Sequence, residues 1–329
     1  MNTKIAIVNS SSFGKHFPEH MEKLEALGKI DRFTLPKDMG GKELADKLNG
    51  YSIIIASVTA LYNEEFFQHK DKTLLITRHG IGYNNIDIEA ATKNGTFVTK
   101  VDAIVEREAV AENAVALLMS TIRQINSASD RVKEGKWAER AKFIGYEIKG
   151  KTVGVIGFGN IGSRIGEILK NGYGANVIAY DPNLTYEGIR ERGAEPVTLE
   201  ELLRKADIIS LNAFLDKNSY HMISEKEFGL MKKGVFIVNT ARGALIEEKS
   251  LIKALDEGIV GGLGLDVLED EPIDGNHPLL KYENVVITPH TSAYTYECLK
   301  GMGDKVVSDV EKVLSGEIPD NLINKDILK

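Results

Sequence analysis

The sequence predicts an α/β chain folded as two doubly wound parallel sheets, the second inserted into a discontinuous first. Short apolar runs alternate with amphipathic stretches almost from end to end, the pattern of parallel strands covered by helices on both faces. A chain of 329 residues, 43% hydrophobic and 27% charged, is long enough for two cores. No repeat or low-complexity tract interrupts the alternation.

Taken in order, the first region offers strands at Ile5–Asn9, Arg32–Leu35, Ser52–Ala56, Leu74–Arg78 and Thr96–Val101, with helical stretches between them. The opening apolar run is too short for a signal-peptide core or a membrane span and reads as a buried strand. A single long helix is expected from about Glu108 through Ala111, Ala114, Leu117, Leu118, Ile122 and Ile125 to Lys133, because apolar residues recur at three- and four-residue spacing. After Gly150 a second alternating set begins, with strands at Thr152–Ile156, Asn176–Tyr180, Ile208–Asn212, Val235–Thr240, Gly261–Asp266 and Val285–Thr288. Six strands match a dinucleotide-binding sheet. A last helix from about Tyr296 to Leu314 most simply returns to the first domain. The expected domains are therefore 1–103 with 292–329, and 104–291.

The net charge of −7 and a pI near 5.6 speak against nucleic acid or an anionic membrane surface as partners, since both attract basic faces. The lone cysteine, Cys298, forms no intramolecular disulfide, and its company suits a reducing cytoplasm. With no cysteine pair and no H-E-x-x-H helix, no catalytic metal is expected.

Between the strand Thr152–Ile156 and a helix starting near Asn160 stands Gly157-Phe158-Gly159-Asn160-Ile161-Gly162, a G-x-G-x-x-G loop. Gly157 suits a tight turn, Gly159 lets a pyrophosphate approach backbone N–H groups, and Gly162 lets helix and strand pack closely. Asp181 ends the next strand, where a carboxylate accepts hydrogen bonds from ribose hydroxyls and repels a 2′-phosphate. NAD is thereby favoured over NADP, unless Asp181-Pro182-Asn183 is a mere turn. Arg190 and Arg192 read as too far along to clamp a phosphate.

Ligands of open parallel sheets bind beyond the carboxyl ends of strands, which singles out Arg242, Asp266, Glu271 and His290. The sequence around them, Val238-Asn239-Thr240-Ala241-Arg242-Gly243, Asp266-Val267 leading to Glu271-Pro272, and Thr288-Pro289-His290-Thr291, resembles the D-isomer-specific 2-hydroxyacid dehydrogenase family. The segments Arg78-His79-Gly80-Ile81-Gly82-Tyr83-Asn84-Asn85-Ile86-Asp87 and Ala109-Val110-Ala111-Glu112 extend that resemblance over the whole chain.

The resemblance implies a Rossmann NAD-binding domain inserted into a flavodoxin-like substrate domain, with Arg242, Glu271 and His290 as catalytic residues. In keto-acid reduction the carbonyl oxygen gains negative charge, so a nearby acid must protonate it and a fixed cation should stabilise it. His290 is expected to supply the proton and Glu271 to hold and favour the imidazolium. Arg242 offers a planar fork to the substrate carboxylate. By the same resemblance, backbone N–H groups of His79, Gly80 and Ile81 surround the substrate carboxylate, and Asp266 binds the nicotinamide carboxamide. Gly157, Gly159, Asn160, Ile161, Gly162, Asp181, Ala213 and Thr240 then hold the rest of NAD(H). His16, His20, His69, His221 and His277 lack such company and read as structural or surface residues.

Three departures stand out. Asn212-Ala213-Phe214 replaces a His-Val-Pro-like run beside the adenine site, which leaves NADP use open; Asn84 stands where the family often has Asp; and Glu106-Arg107-Glu108 replaces smaller polar residues. The His290-Thr291-Ser292-Ala293-Tyr294-Thr295 stretch resembles D-lactate dehydrogenases and favours pyruvate as substrate. Phosphoglycerate dehydrogenase and hydroxypyruvate or glyoxylate reductase are the alternatives, and the extra regulatory domain of many phosphoglycerate dehydrogenases is expected to be absent. A homodimer built on the 126–146 arm is implied. An NAD-sensing, corepressor-like interaction protein is the rival from another class.

Overall fold

The computed structural model describes residues 3–329. By its internal contacts the chain forms two compact units, Met1–Glu106 with Tyr294–Lys329, and Arg107–Ala293. In chain order the elements begin with β1 (Lys4–Val8), α1 (Pro18–Leu27), β2 (Lys29–Phe33), α2 (Gly41–Leu48), β3 (Ile53–Ala56), α3 (Glu64–His69), β4 (Leu75–Arg78), α4 (Ile88–Asn94) and β5 (Phe97–Thr99). Then follow α5 (Ala103–Ile122), α6 (Ile125–Lys133), β6 (Thr152–Ile156), α7 (Asn160–Tyr173), β7 (Asn176–Tyr180), α8 (Tyr186–Glu191) and β8 (Glu195–Pro196). Next come α9 (Leu199–Lys205), β9 (Ile208–Leu211), α10 (Glu225–Phe228), β10 (Val235–Asn239), α11 (Glu248–Asp256), β11 (Val260–Leu265), β12 (Val285–Ile287) and α12 (Tyr296–Ser315).

The first unit holds a five-stranded parallel sheet in the order β2-β1-β3-β4-β5, the flavodoxin-like winding. Alternation along its central strands splits the apolar residues between two cores. Ile54 packs with Leu44, Leu48, Tyr62 and Phe66, whereas Ile53 and Ile55 pack with Ile5, Ile7, Leu24, Val306 and Val310. The valines belong to α12, so the last helix covers one face of this sheet, as expected. Asp309 of the same helix, buried, accepts hydrogen bonds from Thr77 Oγ1 at 3.0 Å and Thr99 Oγ1 at 2.6 Å, which pins α12 to β4 and β5.

The second unit holds a seven-stranded parallel sheet, β12-β11-β10-β9-β6-β7-β8, in the Rossmann order with an added strand. Its order reverses between β6 and β9, so a crevice opens beyond their carboxyl ends, where the glycine loop stands. Helix α9 starts with a capping box of Thr198 and Glu201, and α7 ends on left-handed Gly174, so both boundaries are written in local sequence.

Three expectations needed correction. The second strand lies at Lys29–Phe33 rather than Arg32–Leu35. It is an edge strand whose polar alternation conceals it, and Leu35 is held by the Asn9 side chain instead, at 2.7 and 3.1 Å. The spine helix is two helices. Gln124 adopts φ +53, and the free end of α5 is capped where Tyr146 N–H donates to the Ile122 carbonyl at 3.1 Å. Apolar spacing runs unbroken through Ile122 and Ile125, so periodicity alone hides the break. Finally, β8 adds a strand that its two residues were too short to announce. Among the described residues no helix is long and apolar enough to cross a membrane.

Candidate active site

The glycine loop connects β6 to α7 within the second unit. Gly157 has φ +84, and a Cβ there would stand 2.6 Å from Ala213 N, so the turn needs glycine on both counts. A Cβ on Gly162 would lie 2.0 Å from the Gly157 carbonyl oxygen, whereas nothing lies within 4 Å of one on Gly159. The loop is therefore sealed on its inner side and open at the start of α7, where the N–H groups of Asn160 and Ile161 begin the helix. Asp181, just after β7, is turned toward this loop: Oδ2 accepts from Phe158 N–H at 2.8 Å and Oδ1 from Asn183 N–H at 2.8 Å. Ala213 and Thr240 follow β9 and β10 at the same edge of the sheet. Thr240 Oγ1 and the neighbouring Asn212 Oδ1 are buried with no hydrogen-bond partner among the described residues. Native interiors rarely leave such atoms unsatisfied, and a ligand amide or hydroxyl at this edge would satisfy them.

Arg242 is positioned by a buried asparagine. The Asn239 side chain, at the end of β10, donates from Nδ2 to the Arg242 carbonyl at 2.9 Å and accepts at Oδ1 from Ala241 N–H at 3.0 Å. Residue 243 must be glycine for another reason, because a Cβ there would sit 1.9 Å from the carbonyl carbon of Leu268. The arginine loop is thus packed backbone to backbone against the segment that leads to Glu271.

His290 Nδ1 lies 2.7 Å from Glu271 Oε2, and Glu271 Oε1 accepts from Leu268 N–H at 2.8 Å. Burial works to raise the Glu271 pKa, but the His290 hydrogen bond and charge, the Leu268 N–H and the Arg242 guanidinium outweigh it and hold the carboxyl below its ordinary range. The electrostatic reach of Arg242 to Glu271 brings the three predicted residues into one constellation. Nε2 of His290 carries no hydrogen bond among the described residues, so it is the ring nitrogen left for a ligand.

Asp266 does something the sequence did not suggest. Its buried carboxylate accepts from Thr288 Oγ1 at 2.5 Å, Thr291 N–H at 2.9 Å and Ser292 N–H at 2.8 Å, and its carbonyl accepts from His290 N–H at 2.9 Å. The residue therefore grips the chain on both sides of His290. That grip holds His290 in the left-handed region at φ +54.

In the first unit, the three N–H groups expected to receive a carboxylate have partners already. His79 N–H donates to the Ala56 carbonyl at 3.0 Å and Gly80 N–H to the Arg78 carbonyl at 2.9 Å. Ile81 N–H donates to Glu106 Oε1 at 3.0 Å. Only the Ile81 partner is a side chain that can give way. Burial, with the charges of Arg78 and His20, pushes the His79 pKa down to about 3, so this ring stays neutral.

In the second unit the sequence reading passed over Asn239 and set Arg192 aside. Asn239 looked like one more strand residue, although an asparagine at the end of a fully apolar strand was a usable signal. Arg192 reaches the glycine loop and donates from Nη1 to the Phe158 carbonyl at 3.0 Å, a contact that α8 creates by folding the chain back.

Comparison with known proteins agrees with this geometry. The profile of the D-isomer-specific 2-hydroxyacid dehydrogenase NAD-binding domain matches residues 115–292. The chain is 39% identical over 321 residues to a glyoxylate reductase of Thermococcus litoralis, covering 95% of this chain and 96% of that one. The chain belongs to the D-isomer-specific 2-hydroxyacid dehydrogenase family. This dehydrogenase is also 37% identical to a D-3-phosphoglycerate dehydrogenase of Methanocaldococcus jannaschii, over 93% of its own length and 58% of that protein. Among solved structures it resembles the D-lactate dehydrogenase of Aquifex aeolicus complexed with NAD and lactic acid, with a TM-score of 0.85 at 29% identity over 97% of this chain and 99% of that one. Family membership makes it an oxidoreductase that acts on the CH–OH group of 2-hydroxy acids with NAD(H). The glycine cradle and the unsatisfied Thr240 and Asn212 oxygens fit that cofactor.

Proposed function

We propose that this dehydrogenase works as a reductase of small, unbranched 2-oxo acids, with glyoxylate and hydroxypyruvate ahead of pyruvate. The preference for pyruvate expected from the 290–295 stretch gives way because several similar relatives, at 39% and 34% identity among them, are glyoxylate reductases. The reaction class rests on the His290–Glu271 contact of 2.7 Å, held on a segment packed against the Arg242 loop.

In this reading the bound nicotinamide supplies the hydride that reaches C2 of the substrate. His290 donates its Nε2 proton to the carbonyl oxygen as negative charge builds there, and Glu271 stabilises the imidazolium and fixes the ring through Nδ1. Arg242 presents its fork to the substrate carboxylate and its charge to the carbonyl oxygen, aligning and polarising the reacting group together. Gly157, Gly159, Asn160, Ile161 and Gly162 hold the pyrophosphate, Asp181 the ribose, and Ala213 and Thr240 line the rest of the cofactor. Asp266 aligns the histidine segment and is within the family's place for the carboxamide. Within the first unit, the turn of His79, Gly80 and Ile81 could offer a carboxylate the Ile81 N–H, whose present partner is the Glu106 side chain. A cytoplasmic homodimer completes the proposal, supported by the exposed apolar side chains of Trp137, Ile144 and Tyr146 on the 126–146 arm, at 66%, 77% and 58% exposure.

The test is NADH oxidation with glyoxylate, hydroxypyruvate, pyruvate and a phosphorylated hydroxypyruvate, in parallel with NADH binding. A kcat/KM for glyoxylate or hydroxypyruvate about tenfold above that for pyruvate is expected, the scale on which one methyl or hydroxyl is discriminated. A reversed order would return the substrate to pyruvate. NADH binding without turnover of any 2-oxo acid would replace the enzyme by a sensor.

A further inference from the structure

We infer that His221 is a positioning residue for the reduction, tying the loop that carries Arg242 to the segment that carries Glu271 and keeping the two in register. The inference rests on the catalytic roles proposed above for Arg242, Glu271 and His290, and it stands whichever 2-oxo acid is reduced.

His221 touches both pieces of the constellation from one place in the second unit. Its backbone N–H donates to the Ala244 carbonyl at 2.8 Å, two residues past Arg242. The pairing continues where Ile223 N–H donates to the Leu245 carbonyl at 3.1 Å and Glu247 N–H returns to the Ile223 carbonyl at 2.9 Å. The ring reaches the other piece: Nε2 lies 2.5 Å from Glu269 Oε1, two residues before Glu271. Main chain on one side and side chain on the other thus join the two loops through a single residue. That residue stands in the left-handed region at φ +51, a conformation that a side chain other than glycine keeps only where its surroundings impose it.

Glu269 passes the tie on to Glu271. Its Oε2 accepts from Glu248 N–H at 3.2 Å, serving the first turn of α11, which has no side-chain cap from its own Glu247. The Tyr220 ring stacks on the His221 ring with centroids 3.9 Å apart, and its hydroxyl stands 3.5 Å from Glu269 Oε1. The backbone beside the fixed Glu269 side chain supplies the Leu268 N–H that holds Glu271 Oε1, and Glu271 Oε2 in turn meets His290 Nδ1. The same stretch of backbone is the one that Gly243 lies against. His277 is placed differently, pairing with Glu248 at 3.3 Å.

The experiment is steady-state kinetics of the enzyme with NADH and glyoxylate or pyruvate, whichever is reduced faster, beside NADH affinity from quenching of protein fluorescence. His221→Asn suits the left-handed backbone, as Asn9 and Asn321 do at φ +54 and +53, but is too short to reach Glu269. It should lower kcat about ten- to a hundredfold, the scale of a catalytic group misplaced by about an ångström, and leave NADH affinity unchanged. His221→Gln returns an amide N–H to the neighbourhood of Nε2 and should recover most of that loss. Glu269→Ala breaks the same contact from the other side and should match His221→Asn. In a Glu271→Gln background, His221→Asn should add no further loss, because residues that act as a unit are not additive. Undiminished kcat in both His221→Asn and Glu269→Ala, or losses that multiply in the double variant, would overturn the positioning role. Wild-type kcat in Glu271→Gln alone would take away the dyad, and this inference with it.

Discussion

At the scale of single residues, the proposed chemistry depends on a half-buried carboxylate that is held in its charged form. Its partner contacts overcome burial, so Glu271 titrates below the usual range in the folded chain. A depressed acid contributes stability that is complete above its unfolded pKa of about 4 and is lost as pH falls through the lower folded value. Glu271→Gln should therefore melt at a lower temperature than wild type near neutral pH, with the difference shrinking in acid. The same substitution should also be felt in turnover. Without the carboxylate on Nδ1, the imidazole loses the partner that fixes its orientation, so kcat should fall about 10- to 100-fold. An unchanged kcat would detach Glu271 from proton transfer. Arg242 and His290 stood out in the sequence because each follows a strand closely, and Glu271 because it stands a few residues beyond one. The further duty of Asp266 did not, since its three donors come from residues more than twenty positions away along the chain.

At the scale of elements, two loops behave as one body. Asn239 fixes the backbone of the arginine loop, and Gly243 lets that loop lie directly on Leu268. The added methyl of Gly243→Ala has only backbone to push against, so the substitution should cost roughly 1–3 kcal/mol by urea unfolding. It should also lower kcat/KM for the keto acid, because both Arg242 and Glu271 are displaced. Wild-type stability and kinetics in that variant would show that the contact yields freely. The glycine loop could be read from sequence because strand, turn and helix are contiguous there. Arg192 could not, because α8 and its terminal turn carry it back across a gap of thirty-four residues to Phe158. The break after α5 was equally hidden, since one left-handed glutamine leaves the apolar spacing intact.

At the scale of the molecule, the winding of both sheets followed from strand order and apolar patterning, while strand ends at the sheet edges did not. Edge strands are set by pairing with a neighbour, and their own residues say little. The second unit contains every residue assigned here to cofactor binding, so NADH should stabilise it by mass action. At a hundredfold excess over its dissociation constant the ligand contributes about 2.7 kcal/mol, which should raise the melting temperature by roughly 5 °C. A scan with and without NADH checks this, and an absent shift would remove the cofactor from the glycine cradle.

The backbone of His290 has a bearing on how the enzyme can be disarmed. Left-handed geometry is tolerated best by glycine and next by asparagine, while a β-branched or bulky aliphatic side chain resists it. A replacement chosen only for its lack of an ionisable ring would thus disturb the fold of the turn along with the chemistry. Asparagine silences the proton donor and keeps the turn at ease, which makes it the cleanest route to a folded, cofactor-loaded but inert protein for trapping keto acids.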